Sequence, residues 1–503
     1  MSTVKRNVIA NYLGQGWSAV MGIAFIPLYI HYLGMEAYGL IGLFAVMEAW
    51  LTLLDMGMTP TLTREMACFT AGTHSPQSIC DLLRSLEIIC FSLAVLIGLG
   101  VWAASGYLAS DWLKTEKLST AVVAQALSVM AFVIALRFVE GIYRGSLLGM
   151  QQQVWYNGAI ATLTTVRQGG AVAVLAWVWP TVQAFFLWQA LLSLLTVAIF
   201  GLRVHRTLPK PLSPPKFSRQ ALAGVWKFAG GMMGITFLTL LLTQVDKVML
   251  SRMLTLESFG YYILATTIAG VLRMIIGPIT QAIYPRMVEL SSRDHQTELV
   301  SVYHQSAQLV TILAAPAMML LGFFAGGVVF MWSGNADLAE NTVPILSVLV
   351  IGTFLNGLMW IPYQCQLAHG WTSLTLRLNV VAVVVLIPAI CWVVPHYGAV
   401  GAAWIWVALN TGYVLIDIQF MHRRLIPDEK WRWYFADVLW PIAGAVMVVL
   451  LAKAFQPAGY QDRWHWLVFL CITGGLALAA ATALADRIRP QLLSIMGRSL
   501  HRR

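Results

Sequence analysis

Two arginines stand inside stretches that are otherwise apolar. Arg273 lies within TIAGVLRMIIGPITQAIYPRM (Thr267–Met287), 13 residues past Gly260, and Arg167 lies 12 residues past Trp155. At 1.5 Å per helical residue these offsets put both side chains about 18–20 Å along their helices, far from either end. A charge at the centre of hydrocarbon costs on the order of 2.5–3.5 kcal/mol on insertion scales, so such residues face a wet interior or a partner. The planar guanidinium fork matches phosphate and carboxylate oxygens, and a desolvated setting strengthens that pairing. Two readings follow: a buried ion pair that fixes helix packing, for example Arg273 with Glu48, or a cationic wall that receives an anion.

Other polar residues extend the set. Glu48 sits in the middle of an apolar run and could carry a coupling proton or sodium ion. Asp246, beside Lys247, is a second ion-coupling candidate, and it and Asp417 lie near run ends where a local pair or solvent also accounts for them. Asn11 and Gln15 are one helical turn apart, so they share a face and offer hydrogen bonds to a polar ligand or to a neighbouring helix. Arg64 and Arg286 occupy similar places in the two halves, as substrate contacts at a mouth or as simple anchors at span ends. Gly141, Gly145 and Gly149 form overlapping GxxxG steps, which read as close helix packing rather than a phosphate cradle. There is no CxxC, no Walker lysine loop, no GxGxxG and no His pair at i, i+4, so neither an enzyme nor a metal or nucleotide cofactor is expected.

The elements that position these residues are membrane helices. The chain is 59% hydrophobic and only 11% charged, with a mean hydropathy of +0.73, far from a soluble domain at roughly 25% charged. Apolar runs of about 20 residues, enough to span a bilayer, centre near Ala19, Ala45, Val95, Ala131, Leu163, Leu192, Thr236, Gly270, Ala317, Thr353, Val383, Val407, Val446 and Gly475. These fourteen spans predict an all-α integral membrane protein. Lys and Arg, including Arg137 and Arg144, concentrate on the side that holds both termini, whereas Lys114, Lys117, Lys247, Arg252, Lys453 and Arg463 fall on the other. The positive-inside rule then makes both termini cytoplasmic. The net charge of +10 reads as this bias, not as a nucleic-acid footprint. The six cysteines lie in spans or cytoplasmic loops, where a disulfide framework is not expected.

A duplication organises the spans. LGMEAYGLIGLF (Leu33–Phe44) recurs as LTLESFGYYILA (Leu254–Ala265), aligning Gly39 with Gly260, and Gly149 aligns with Gly370, both 221 residues apart. Six spans repeated as six keep the same orientation, which predicts two lobes related by a pseudo-twofold axis along the membrane normal. The expected domains are residues 1–202 and 224–422 as the lobes, a basic Pro-rich connector at 203–223, and two extra helices with a basic tail at 423–503. Pro278 and Pro285 are expected to kink or end the eighth span.

LLDMGMTPTLTREMACFTAG (Leu53–Gly72), PITQAIYPRMVEL (Pro278–Leu290), the G-x-x-x-G-x-Q pattern from Gly145 to Asn157, and HYGAVGAAWIW (His396–Trp406) resemble stretches of the polysaccharide transporter family. These are the O-antigen and lipid-linked oligosaccharide flippases of the multidrug/oligosaccharidyl-lipid/polysaccharide exporter superfamily. The likeness covers about the first 420 residues in order. It implies a flippase in the bacterial inner membrane, moving a polyprenyl-diphosphate-linked glycan outward by alternating access on an ion gradient or the membrane potential. The implied partners are that glycan, membrane lipids, and the polymerase and glycosyltransferases of the same pathway. Arg273 and Arg167 are expected to face one central cavity between the lobes, with Asn11, Gln15, Arg64 and Arg286 as further substrate contacts. A flippase for a lipid-linked peptidoglycan precursor and a cation-coupled drug antiporter are the alternatives in that superfamily. A membrane-embedded glycan polymerase or ligase is the alternative of another class, although the outer loops are short for catalytic residues.

Overall fold

The computed structural model describes residues 3–490 apart from 56, 71, 73–74, 210–212, 220–225 and 461. Parts of the Pro-rich connector and the basic tail beyond residue 490 thus lie outside the described residues. The described residues are almost wholly helical, and they include one isolated backbone bridge, Lys114 with Thr255. Among the described residues, eleven helical segments are long and apolar enough to cross a membrane. The fourteen expected spans also count Met35–Leu54, Trp226–Met253 and a division of Ser373–Leu425, in which two helices join across Gly398 at φ 57.

The chain forms two compact units, Met1–Gly260 and Tyr261–Arg503. The first holds α1 (Thr3–Ala24), α2 (Ile26–Leu33), α3 (Met35–Leu54), α4 (Met58–Thr70), α5 (Pro76–Tyr107), α6 (Thr120–Gly149), α7 (Gln153–Trp177), α8 (Val182–Thr207) and α9 (Trp226–Met253). The helix α10 (Leu256–Ala269) carries the chain across the boundary. The first helix of the second sequence repeat, α9, packs on α3 and α4 within the first unit.

Local chemistry sets the starts and breaks of these helices. Ser75 caps α5 by accepting from Ser78 N–H, with Pro76 filling a first-turn position where no N–H is needed. Ser119 caps α6 and Thr181 caps α8. Asp55 and Gly57 break the chain between α3 and α4, Gly57 at φ 76. Asp55 closes that break by accepting from Thr59 N–H at 3.1 Å and Thr59 Oγ1 at 2.7 Å. The part of the connector at 213–218 lies along α5. Backbone N–H groups of Ser213, Lys216 and Ser218 donate to Gln77, Asp81 and Ser85 at 3.1, 2.8 and 2.8 Å, acceptors spaced one helical turn apart.

The glycine steps of α6 hold α4. A Cβ added at Gly141 would lie 3.1 Å from Thr59 Oγ1, at Gly145 2.8 Å from Thr59 O, and at Gly149 2.7 Å from Met66 Cβ. The two backbones meet because these residues carry no side chain, as the GxxxG spacing requires.

In the second unit, α11 (Val271–Ser292), α12 (Gln296–Phe323), α13 (Ala325–Ser333), α14 (Ala336–Leu358), α15 (Trp360–Ala368) and α16 (Ser373–Leu425) follow. Pro278 and Pro285 do not end α11, which runs through both to Ser292. A π-helical stretch, Trp433–Leu439, leads into α17 (Trp440–Ala452), and α18 (Arg463–Ala483) completes the pair. This pair packs on α12 and α13. One polar tie is the fully buried His304, whose Nδ1 meets Asp437 Oδ2 and whose Nε2 lies 3.0 Å from Glu429 Oε2.

Replacing Gly149 by Val should force α4 off α6 and cost about 1–3 kcal/mol as an overpacked contact. The expected result is a lower thermal unfolding midpoint in detergent. Gly158→Ala is the control, because a Cβ there meets nothing within 4 Å and the change should be neutral or slightly stabilising.

Candidate functional site

A cavity of about 920 Å³ opens within the first unit, walled by α1, the α3–α4 break, α6 and α7. Each wall presents one helical face. Asn11, Gln15 and Ser18 come from α1, and Glu48 and Asp55 from α3 and its end. Arg137, Glu140 and Arg144 come from α6, and Asn157, Thr164 and Arg167 from α7. Spacings of three, four or seven residues bring the members of each set to the same side.

Four residues singled out from sequence meet here: Asn11, Gln15, Glu48 and Arg167. Asn157 Nδ2 donates to Asn11 Oδ1 at 2.7 Å, and Gly14 makes room for it, since a Cβ there would stand 2.7 Å from Asn157 Cβ. Trp17 Nε1 donates to Thr165 Oγ1 at 2.8 Å, again joining α1 to α7. Arg167 is 5% exposed. Its Nη2 donates to Thr196 Oγ1 of α8 at 3.0 Å, and its carbonyl accepts from Trp188 Nε1 at 3.0 Å. Both contacts hold the α7 backbone and guanidinium in place from the side away from the cavity.

The cavity residues that escaped the sequence reading of the site include three charged ones on α6: Arg137, Glu140 and Arg144. The sequence pattern assigns the positive charges of Arg137 and Arg144 to the cytoplasmic end of the fourth span, but α6 continues to Gly149. Arg137 lies 12 residues before that end, about 18 Å along the helix axis. The signal was R-x-x-E-x-x-x-R, which places all three on one face. Asp55 was quoted as part of a motif and not as a site residue.

The cavity carries three arginines and three carboxylates, unequally engaged. Arg137 Nη1 lies 3.4 Å from Glu48 Oε1, and Asp55 accepts twice from Thr59. By contrast, Arg167 Nε, Arg137 Nε and Glu140 Oε2 are buried with no hydrogen-bond partner. A buried charged group without its hydrogen bonds costs the full desolvation penalty, more than the ~1–3 kcal/mol of a neutral one. The unfilled N–H groups therefore favour an incoming acceptor, and Glu140 Oε2 favours an incoming proton, cation or hydroxyl.

The remaining sequence candidates lie elsewhere. Arg64 is exposed on α4, 3.9 Å from Glu65, and Asp246 on α9 sits 3.4 Å from Lys247. Arg273 and Arg286 belong to the second unit and lie on exposed positions of α11. Arg286 is bound to Glu289 at 2.8 Å and to Glu298 at 3.1 Å. Asp417 is buried and accepts from Gln366 Nε2 at 2.8 Å. Among the described residues no group of three or more His, Cys, Asp or Glu is placed to hold a metal ion.

Comparison with known proteins places this geometry in a family. Residues 4–291 match the model of a family described as "Polysaccharide biosynthesis protein". A Shigella flexneri protein named "Putative O-antigen transporter" is 21% identical over 427 residues, covering 84% of this chain and 99% of that one. Among solved structures, the lipid II flippase MurJ in an inward closed conformation superposes with a TM-score of 0.68 at 11% identity, covering 95% of this chain and 98% of that one. An inward-facing multidrug resistance MATE family transporter of the MOP superfamily superposes at 0.59 and 13% identity, covering 82% and 94%. At these identities the superpositions establish the fold alone. With the family match spanning more than half of its length, the chain belongs to the polysaccharide biosynthesis protein family and is a multi-pass membrane protein.

Proposed function

We propose that this protein is a flippase for a polyprenyl-diphosphate-linked oligosaccharide, such as an O-antigen or other surface-polysaccharide unit. It works in the bacterial inner membrane with both termini in the cytoplasm. The observation that carries this reading is the cavity of the first unit, where buried guanidinium N–H groups of Arg167 and Arg137 lack acceptors. A diphosphate supplies such acceptors. The amides of Asn11 and Gln15 from α1 and of Asn157 from α7 suit sugar hydroxyls. The family description and the name of the Shigella relative support a glycan cargo. The pathway's polymerase and glycosyltransferases are its expected partners.

Substrate bound in this cavity would replace the hydration of its diphosphate with fixed N–H donors. The polyprenyl tail would remain in lipid, which is already its preferred solvent. Direction comes from an ion gradient or the membrane potential, through uptake of a proton or sodium ion. Glu48 is engaged by Arg137, so Glu140, with Oε2 unpartnered, is the carboxylate most ready to take up a proton in exchange for substrate. Arg273 is the second unit's cation in this reading and is tested separately.

The test is flipping of a fluorescent polyprenyl-diphosphate glycan in proteoliposomes. Arg167→Ala should lower the rate about 10- to 100-fold, the equivalent of charge-assisted hydrogen bonds worth about 1.5–3 kcal/mol, with gel-filtration behaviour unchanged. Arg167→Lys should keep part of the rate, because charge survives and the fork is lost. Full transport by Arg167→Ala would remove the cavity from the mechanism, and full transport by Arg273→Ala would remove Arg273. A lipid-linked peptidoglycan precursor shares the diphosphate and is the natural competitor substrate in the same assay.

A second expectation concerns coupling. Glu140→Gln should retain substrate binding but no longer respond to an imposed pH gradient, measured as the ratio of flipping rates with and without the gradient. An unchanged ratio would exclude Glu140 as the proton carrier.

A further inference from the structure

The duplicated motif meets itself. Met35, Glu36 and Gly39 correspond by the 221-residue offset to Leu256, Glu257 and Gly260. A Cβ on Gly39 would run into the carbonyl oxygen of Leu256, and one on Gly260 would lie 2.7 Å from the carbonyl oxygen of Met35. The contact is reciprocal, as across a local twofold axis. The start of α10 thus meets the start of α3 at these two glycines, with the buried Leu256 and Met35 side chains lying against them.

One loop binds both copies. In the connection from α5 to α6, the backbone N–H groups of Glu116, Lys117 and Leu118 donate to the Glu36 carboxylate at 2.7, 2.8 and 2.9 Å. From the same loop, Lys117 Nζ reaches Glu257 Oε2 at 2.6 Å. Lys114 O accepts from Leu256 N–H at 2.8 Å, and Lys114 Nζ donates to Met253 O at 2.9 Å. Trp112 Nε1 donates to Ser251 Oγ at 3.1 Å, and Arg252 stacks over the Trp112 ring at 5.1 Å. These ties are hydrogen bonds, an ion pair and a cation–π contact; the Lys117 side chain is 68% exposed, whereas Glu36 and Ser251 are buried. Water can replace such groups, unlike a buried apolar contact. The loop carries Lys114 and Lys117, and its target Arg252; the charge pattern assigns all three to the non-cytoplasmic face.

We propose that residues 112–119 form a releasable latch on the outer face. It clamps the start of α10 onto α3 and keeps this end of the first unit closed. Its release is the step that lets the α3–α10 crossing part. Glu36 is the keystone, because one carboxylate takes three backbone donors; Lys117 is the salt-sensitive tie.

The latch rests on the transporter reading for its purpose, but its first test does not need substrate. Ser251→Cys, buried at 1% exposure, is labelled in spheroplasts with a membrane-impermeant maleimide. Adding Glu36→Ala should raise the labelling rate about tenfold, as expected for loss of charge-assisted bonds. Lys117→Ala, a milder change that keeps the fold if Glu36→Ala does not, should raise it less and in the same direction. Unchanged labelling in a folded variant overturns the latch. In the second arm Lys114→Cys and Thr255→Cys, bridge partners close enough for a disulfide, are oxidised. Labelling at Ser251→Cys should stay at its floor, and flipping should stop until reductant is added, with single-cysteine controls unaffected. A complete disulfide with undiminished flipping overturns the latch while leaving the transporter reading intact; no flipping of any substrate by the reduced protein counts against that reading instead. Failure of the disulfide to form would contradict the bridge on which the latch is built.

Discussion

A guanidinium taken out of water must find its acceptors in the protein or in whatever enters the protein. Arg167 meets that demand on one side only: Nη2 has Thr196, and Nε has nothing. Desolvation of a charged group costs several kcal/mol even after relaxation, and in the function proposed above the missing partner of this buried arginine arrives as cargo. The rest of the first unit follows from this constraint. Trp188 and Thr196 fix the arginine from behind, and Asn157 with Asn11 closes the gap between α1 and α7. Arg137 is neutralised by Glu48 while keeping an N–H to spare.

The glycine ladder of α6 serves the same end by a different force. Apolar side chains gain little by packing together in lipid, so close backbone approach has to supply helix association. Gly141, Gly145 and Gly149 let α4 lie directly on α6. That brings Thr59 and the Asp55 break to the cavity mouth. A substitution here would be felt at the site, which Gly141 itself lines.

The membrane class, the all-helical fold and the family were legible from composition, apolar run length and a few spaced motifs, because those depend on local sequence. Part of the candidate site was legible too: Asn11, Gln15, Glu48 and Arg167 stand out as polar groups in apolar surroundings. Arg137 and Arg144 were not, because hydropathy alone cannot tell a basic residue past a helix end from one inside a helix that continues. Only the packing of α4 against the α6 glycines shows that the helix runs on. The prolines of α11 do not end that helix for a related reason, since neighbouring helices can satisfy the groups a proline frees. Nothing in the sequence pattern signalled that the loop at 112–119 would bind both copies of the repeat, as that depends on a contact 139 residues away, such as Trp112 with Ser251.

The most direct measurement is a cryo-electron microscopy structure of the protein in a lipid nanodisc with a short-chain polyprenyl-diphosphate glycan. The account predicts diphosphate density in the first-unit cavity, within hydrogen-bond distance of the Arg167 guanidinium. An occupied substrate whose diphosphate lies away from Arg167, Arg137 and Arg144 would contradict it.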